Sequence, residues 1–418
     1  MIRSVDALII GAGPAGLAAA LALKNSDVRN ILVVERESVP GGILMQCIHN
    51  GFGLHRFKEE LTGPEYAERY INAARDENII PLTNTAAIDI TDNGKTKTVV
   101  LLSETMGLLE IKATVVILAM GCRERNRGNI SIPGSRPAGI ITAGFAQKMT
   151  NLHGLLPGKE IVILGSGDIG LIMARRLTWE GSHVKAVIEV QPYPGGLNRN
   201  IVQCLHDFNI PLYFSHTITK IDGGKRINKV HIAPIDTHFD PKKTGNFTLS
   251  CDCLLLSIGL IPENELSLKA GVTLDPITRG ASVDADLMTN IPGIFSCGNV
   301  LQVHDLVDFV SEEAEYCGKA AAEYIKGTNR KSTDMPVKTG NLVRYVLPSK
   351  VKAGRSALFS LRAMTPAKNV NLIIRTDKET LYEAKHKKIF PSIMLRVPIK
   401  EIPRQAQYIE VLFEAEEK

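Results

Sequence analysis

The feature that most constrains this chain stands at its start and is then repeated. Residues 6–25 read DALIIGAGPAGLAAALALKN, with no charged side chain from Ala7 to Leu23. Such a run invites a membrane or export reading. A spanning helix needs about 20 uninterrupted apolar residues, and Gly11, Gly13, Pro14 and Gly16 break this one. A secretory leader needs a basic start and a small-residue cleavage site, which Arg3 and the alanines imitate. The fuller account is a short buried strand over 7–10, a Gly11-x-Gly13-x-x-Gly16 turn opened by Pro14 and Ala15, and a helix from Leu17. A second apolar run, 31–34, ends at Glu35 and Arg36. An acid about 20 residues beyond such glycines is where a dinucleotide-binding unit places its ribose carboxylate. The first glycine permits the tight turn, the second lets a pyrophosphate approach the backbone, and the third lets helix and strand pack closely. The helix N-terminus then offers the phosphate unpaired N–H groups and the positive end of the dipole.

The same pattern returns. Residues 161–164 are apolar, Gly165, Gly167 and Gly170 follow with Asp168 and Ile169 among them, a helix is expected over 171–179, and a strand over 183–188 ends at Glu189. One glycine loop is weak evidence; two complete units are specific, and they imply two dinucleotides. A flavin and a nicotinamide cofactor form the natural pair, because a hydride passes between them. After Glu35 come Pro40, Gly41, Gly42 and Ile43, a glycine pair that lets the backbone approach a bulky ring system, so the flavin is assigned to the first unit. In the second unit, Glu189 would accept from an adenosine 2′-hydroxyl and repel a 2′-phosphate, and no basic residue lies in 187–192. NAD(H) is therefore preferred over NADP(H).

Length and composition agree with a multidomain α/β protein. The 418 residues allow two or three domains, and 44% hydrophobic with 22% charged residues is ordinary for a soluble globular chain. Seven scattered cysteines without a CxxC suggest reduced thiols in the cytoplasm. No metal set and no further membrane-length apolar run is evident.

Further motifs carry a resemblance. Residues 294–300, IFSCGNV, are a strand running into Gly298-Asn299, and a small-residue helix is expected over 306–325. With the two glycine units, this layout resembles the two-dinucleotide flavoproteins of the pyridine nucleotide–disulfide oxidoreductase superfamily, which includes thioredoxin reductase. The resemblance implies FAD in the first unit, a late Gly-Asp turn touching the FAD ribityl and pyrophosphate, and a following helix, with Val310 in it, pointing at the flavin pyrimidine ring. Here Asn299 replaces the Asp and can hydrogen-bond a ribityl hydroxyl without charge. It also implies strand ends at Gly121 and Gly259, where the chain enters and leaves the nicotinamide domain; Met120 departs from the usual Ala-Thr-Gly. The expected fold is thus doubly wound α/β, with a NAD domain (120–259) inserted in an FAD domain (1–119 and 260–330), and a C-terminal antiparallel β domain (331–418). Three stretches, 135–144 (SRPAGIITAG) with 156–159 (LPGK), 298–308 (GNVLQVHDLVD) and 41–53 (GGILMQCIHNGFG), narrow the likeness. The first two are similar to FAD-binding subunits of bacterial amine, opine and hydrogen-cyanide-forming dehydrogenases. The third is similar to flavoproteins that accompany an FAD-dependent glycerol-3-phosphate dehydrogenase. Such membership implies electron transfer between NAD(H), FAD and a partner subunit.

Many relatives reduce disulfides through a cysteine pair at the flavin, which needs two Cα atoms within about 7 Å. The stretch 140–150, where thioredoxin reductase carries its CxxC, has no cysteine, and only Cys47 lies near Gly41-Gly42. A single Cys47 thiolate could serve a reductase or peroxidase if His49, two residues on, lowers its pKa. Cys251 and Cys253 are expected to share one core-facing side with Leu249 and Leu255. His304, just before the flavin-side helix, is a candidate for proton transfer to a reduced flavin, and Asp305 for the helix N-cap. Asp168 is expected to face solvent or cap the next helix, and the charges of 123–125 to lie exposed at a domain crossing.

The tail differs in style. Alternation over 342–347, 357–362, 370–375, 380–386, 393–397 and 408–413 reads as six short strands of a small sandwich or barrel. Residues 331–418 hold seventeen Lys and Arg against nine Asp and Glu, a net +8, and leave the rest, 32 against 35, at −3. A basic β module steers an acidic protein partner or serves as a lid or a contact between copies of the chain; no stacking motif speaks for nucleic acid. Three functional readings stay open: an FAD-dependent, NAD(H)-linked oxidoreductase serving a partner redox protein, a Cys47 thiol enzyme, and a non-catalytic cofactor-binding subunit.

Overall fold

The computed structural model describes residues 2–328 and 334–415. The expected boundary at 330/331 lies outside the described residues. The chain divides into two compact units, Met1–Cys122 with Pro262–Lys418, and Arg123–Ile261.

In the first unit the apolar opening folds as strand Ile2–Ile10 and helix Pro14–Asn25, which removes the export reading of that run. Ile2–Ile10 lies parallel between Ile31–Val34 and Gly107–Leu118. The last of these is a single twelve-residue strand. Its two halves have different neighbours. Its first half runs antiparallel to Lys97–Ser103, which pairs in turn with Thr85–Asp92. Its last residues, Val116 to Leu118, take Ile294–Ser296 in parallel. Strands flanked on both faces need apolar side chains throughout, and Leu8, Ile9, Val116 and Ile117 are fully buried. The alanines at 18–20 are buried as well, because helix Pro14–Asn25 packs against the sheet and against helix Val307–Ile325.

The second unit has a parallel sheet in the order Leu212–Phe214, His183–Glu189, Glu160–Leu164, Cys253–Leu256 and Ile140–Thr142. A three-stranded antiparallel sheet, His216–Gly223, Ile227–Pro234 and Phe247–Ser250, was not expected from sequence. The two neighbouring cysteines do not share a side. Cys251 joins Leu254 and Leu256 in one core, and Cys253 joins Leu255 in another. The irregular residues 251–252 between two strands reset the alternation.

All six strands expected in the tail have counterparts, and Asp334–Thr339 and Lys350–Lys352 are added. They form a five-stranded and a three-stranded sheet around Phe359, Leu361, Leu372, Val411 and Phe413. The larger sheet is not wholly antiparallel, since Asp334–Thr339 runs parallel to Ile409–Ala415. The tail lies in one compact unit with the sheet of Ile2–Ile10. Polar contacts explain this. Lys352, with a side chain only 10% exposed, sits 3.0 Å from Asp284 and also binds Asp286, which Arg355 meets at 3.0 Å. Burial works to lower the Lys352 pKa, but the two carboxylates outweigh it and raise it. Among the described residues no helix is long and apolar enough to cross a membrane.

Removing one member of a buried ion group leaves an uncompensated charge and costs about 3–5 kcal/mol. Lys352→Ala should lose stability of that size in urea unfolding at neutral pH. Because the folded Lys352 pKa is raised, the wild-type contribution should persist until the pH climbs past the usual 10.5 and then disappear. A variant as stable as wild type would show that the junction does not depend on this pairing.

Candidate functional site

The first glycine loop is built by close approach. A Cβ on Gly16 would lie 1.8 Å from the Gly11 carbonyl oxygen, so only glycine lets the helix begin this near the strand. Gly42 has φ +60°, and a Cβ there would stand 3.0 Å from the Gly13 Cα. Two glycines thus face each other across the start of helix Pro14–Asn25, whose N-terminus has no side-chain cap. Glu35, 7% exposed, accepts from Ala12 N at 2.8 Å and from Glu37 N at 2.9 Å. Its carboxylate ties the glycine loop to the end of the second strand. Arg36 and Ile43 are exposed beside it, and Ala15 is buried against the Gly298 turn.

The second loop repeats this in detail. Glu189 accepts from Ser166 N at 2.8 Å and from Gln191 N at 2.8 Å, the same two backbone positions. It also accepts the Ser166 hydroxyl at 2.6 Å, and that hydroxyl accepts from Gly195 N at 2.8 Å. Gly195 and Gly196 follow Pro194 and stand as far beyond Glu189 as Gly41 and Gly42 stand beyond Glu35. The sequence reading missed this pair and used the first one to place the flavin. The glycine pair therefore does not distinguish the two units. Asp168 does not face solvent; its Oδ1 accepts from Leu197 N at 2.8 Å and Asn200 Nδ2 at 2.6 Å, holding the start of helix Asn198–Cys204. Ile169, Gly167 and Gly170 line the same turn, with Gly170 N donating to Ser257 Oγ at 3.1 Å. The charges of 123–125 are not simply solvated either, since Glu124 accepts from Gly144 N at 2.7 Å at a helix start. Gly121 accepts from Glu263 N at 3.0 Å and Gly259 from Arg125 N at 2.9 Å, near the two chain crossings.

What does distinguish the first unit is the Gly298 turn. Gly298 has φ +73°, and a Cβ there would meet Ala15 Cβ at 2.7 Å and Val310 Cγ1 at 3.4 Å. The turn joins the first glycine helix to helix Val307–Ile325. Asn299 Oδ1 accepts from His304 N at 3.0 Å and faces His304 Nδ1 at 3.3 Å. His304 Nε2 lies 3.2 Å from Glu313 Oε2, with the histidine side chain 2% exposed. Glu313 also accepts from Gly298 N at 2.7 Å and Gln302 Nε2 at 2.8 Å. Burial works to raise the Glu313 pKa, but His304, Gln302 and Gly298 outweigh it and hold the carboxyl below its usual range. Glu313 was not singled out from sequence; its signal is its place on the helix face that turns toward Gly298. Asp305 is not the N-cap. Leu306 occupies that position, and Asp305 accepts instead from Arg362 and from Met394 N at 2.6 Å.

Both loops fit an adenine dinucleotide: glycines where a Cβ would fill the cradle, an uncapped helix start for a pyrophosphate, and a fixed carboxylate for a ribose. A family profile described as pyridine nucleotide-disulphide oxidoreductase matches residues 5–320. The chain belongs to the pyridine nucleotide-disulphide oxidoreductase family. It is an oxidoreductase of FAD and a pyridine nucleotide. It is 25% identical over 292 residues to hydrogen cyanide synthase subunit HcnB of Pseudomonas protegens, covering 64% of this chain and 59% of that protein. It is 25% identical over 302 residues to thioredoxin reductase of Listeria innocua, covering 71% of this chain and 85% of that protein. It is 24% identical over 340 residues to an opine oxidase subunit of Agrobacterium tumefaciens, covering 76% of this chain and 64% of that protein. The fold matches a crystal structure of thioredoxin reductase from T. acidophilum with a TM-score of 0.63 at 22% identity, covering 78% of this chain and 100% of that one.

Many proteins of this family work through a cysteine pair, and here none of the seven cysteines is joined in a disulfide. Cys47 lies in the first unit, its Sγ donating to Ile43 O at 3.3 Å. Burial pushes its thiol up to about 12, the opposite of the lowering asked of His49. His49 Nδ1 faces Asn50 O at 3.0 Å and its ring packs on Phe52.

The depressed Glu313 pKa has a measurable sign. A carboxyl lowered in the folded state stabilises above its usual 4.5 and loses that contribution as pH falls through the depressed value. Wild type should exceed Glu313→Gln by about 2–3 kcal/mol near neutral pH, the order of a hydrogen bond to a charged group. Urea unfolding across the acid range should show the gap closing below pH 4.5, and a constant gap would contradict the pairing.

Proposed function

We propose that the chain passes hydride between NAD(H) and FAD and passes electrons between FAD and a partner redox protein or dehydrogenase subunit. The observation that carries this is the pair of cradles, each closed by a buried carboxylate on its own glycine loop. FAD, when bound, supplies the chemistry that converts a hydride into electrons leaving one or two at a time. The protein's own residues bind and orient. Gly13 and Gly42 admit the first pyrophosphate and Glu35 the ribose beside it. The Asn299 turn serves the ribityl chain and His304, paired to Glu313, is placed to hold a proton at its Nε2. Glu189 serves the ribose of the pyridine nucleotide, and its charge with no base in 187–192 favours NAD(H).

Relatives named as subunits support a partner. The basic C-terminal domain, net +8, suits an acidic protein surface. An amine- or glycerol-3-phosphate-oxidising dehydrogenase is the partner class we favour, and seven scattered cysteines without a CxxC favour the cytoplasm. The thiol reading is disfavoured because burial keeps the Cys47 sulfur protonated near neutral pH.

Anaerobic mixing with NADH and, separately, NADPH tests the proposal. NADH should bleach the flavin absorbance, and faster than NADPH; a yellow protein that neither nucleotide reduces would make the chain a cofactor-holding subunit. Cys47→Ser should keep NADH-to-dye turnover, whereas its loss would restore the thiol reading. Glu189→Gln should cut kcat/KM for NADH by about tenfold or more, the scale of a lost charge-assisted hydrogen bond, with little change for NADPH.

A further inference from the structure

The turn from Gly298 to helix Val307–Ile325 is gripped from outside by the C-terminal sheets. At the centre of the grip is one guanidinium. Arg362, on strand Ala357–Ala363 and 12% exposed at its side chain, donates from Nη2 to Val303 O at 3.0 Å and to the Asp305 carboxylate. Its Nη1 donates to Pro391 O at 3.1 Å and its Nε to Tyr345 Oη at 3.1 Å. The other Asp305 oxygen accepts from Met394 N at 2.6 Å. Tyr345 and Pro391 of the tail and Val303 and Asp305 of the turn are therefore tied to one planar fork. A buried guanidinium is costly unless its donors are met, and here each nitrogen has an acceptor. Lysine cannot copy the arrangement, because its three donors leave one point rather than a plane.

The residue between the two gripped positions is His304. Its N–H and Nδ1 both face Asn299 Oδ1. Because a backbone N–H donates to that atom, it is the amide oxygen, which leaves the two Nδ2 donors of Asn299 for another acceptor. Moving Val303 or Asp305 would carry His304 with it and release Asn299. We propose that Arg362 is a positioning residue of the flavin site, through which the C-terminal domain holds the 303–305 turn so that Asn299 offers its amide donors to the FAD ribityl chain. This rests on the assignment of FAD to the first cradle. It gives the tail a task inside the unit, separate from any contact with a partner.

Arg362→Ala and Arg362→Lys test it, with Arg355→Ala as a control that weakens the same domain junction away from the turn. The readouts are the dissociation constant for FAD added to nucleotide-stripped protein, the visible flavin spectrum, and NADH binding at the second cradle. Both Arg362 variants should bind FAD about tenfold or more weakly, with a displaced flavin band, no rescue by lysine, and unchanged NADH binding. Arg355→Ala should keep wild-type FAD affinity and spectrum while losing thermal stability. Should Arg362→Ala fail to fold, Asp305→Asn, which keeps the size of the side chain and removes its charge, should show the same weakening and the same spectral change. Wild-type FAD affinity and spectrum in Arg362→Lys or Asp305→Asn would overturn the proposal. Failure of the wild-type chain to take up FAD would sink the cofactor assignment, and this inference with it.

Discussion

The structure depends on one contact made twice: a buried carboxylate at the end of a second strand accepting from the backbone of a glycine loop. Glu35 does this for Ala12 and Glu189 for Ser166, at 2.8 Å in each case. The bond fixes the loop against a neighbouring strand, so the next helix starts at a set place with its N–H groups open. A charge-assisted hydrogen bond in a nearly dry setting is stronger than a neutral one. The contact also leaves carboxylate lone pairs for a ribose. Fold and site therefore share an atom, and a change at either acid would be felt in both.

Around that shared contact the two units diverge in the third element. The first closes on the Gly298 turn and helix Val307–Ile325, whose buried Glu313 gathers His304, Gln302 and Gly298 N. The second closes on Ser166 and Asp168, which hold the 195–200 segment. The two glycine pairs stand at equal distances beyond Glu35 and Glu189, so they do not tell the two units apart. The Gly298 turn and the helix beyond it are what support our proposal of FAD in the first unit.

Much of this was legible in the sequence. Two strand–glycine–helix–strand–acid units fixed the doubly wound class, because three constraints of backbone approach and one of charge coincide in each. The tail's alternation gave its strands, since a half-buried strand must alternate. Other features were not legible. The three-stranded sheet of His216–Gly223, Ile227–Pro234 and Phe247–Ser250 was not read from the sequence. Cys251 and Cys253 were placed on one side because an irregular pair of residues resets the alternation. Asp305 and Arg362 meet across 57 positions of sequence, and Asp305 was given the local role of helix cap that its neighbourhood suggested. The raised Cys47 thiol comes from burial in the folded chain, which its local sequence does not record.

The central claim is that each cradle seats its own dinucleotide. Equilibrium binding to nucleotide-stripped protein tests it most directly. The account predicts one FAD and one pyridine nucleotide per chain. Gly42→Val, which would crowd Gly13, should abolish FAD uptake and leave NADH binding intact, and Gly196→Val, which would crowd Asp168, should do the reverse. A wild-type chain that stays colourless in excess FAD, or a Gly42→Val chain that takes up FAD as wild type does, would contradict it.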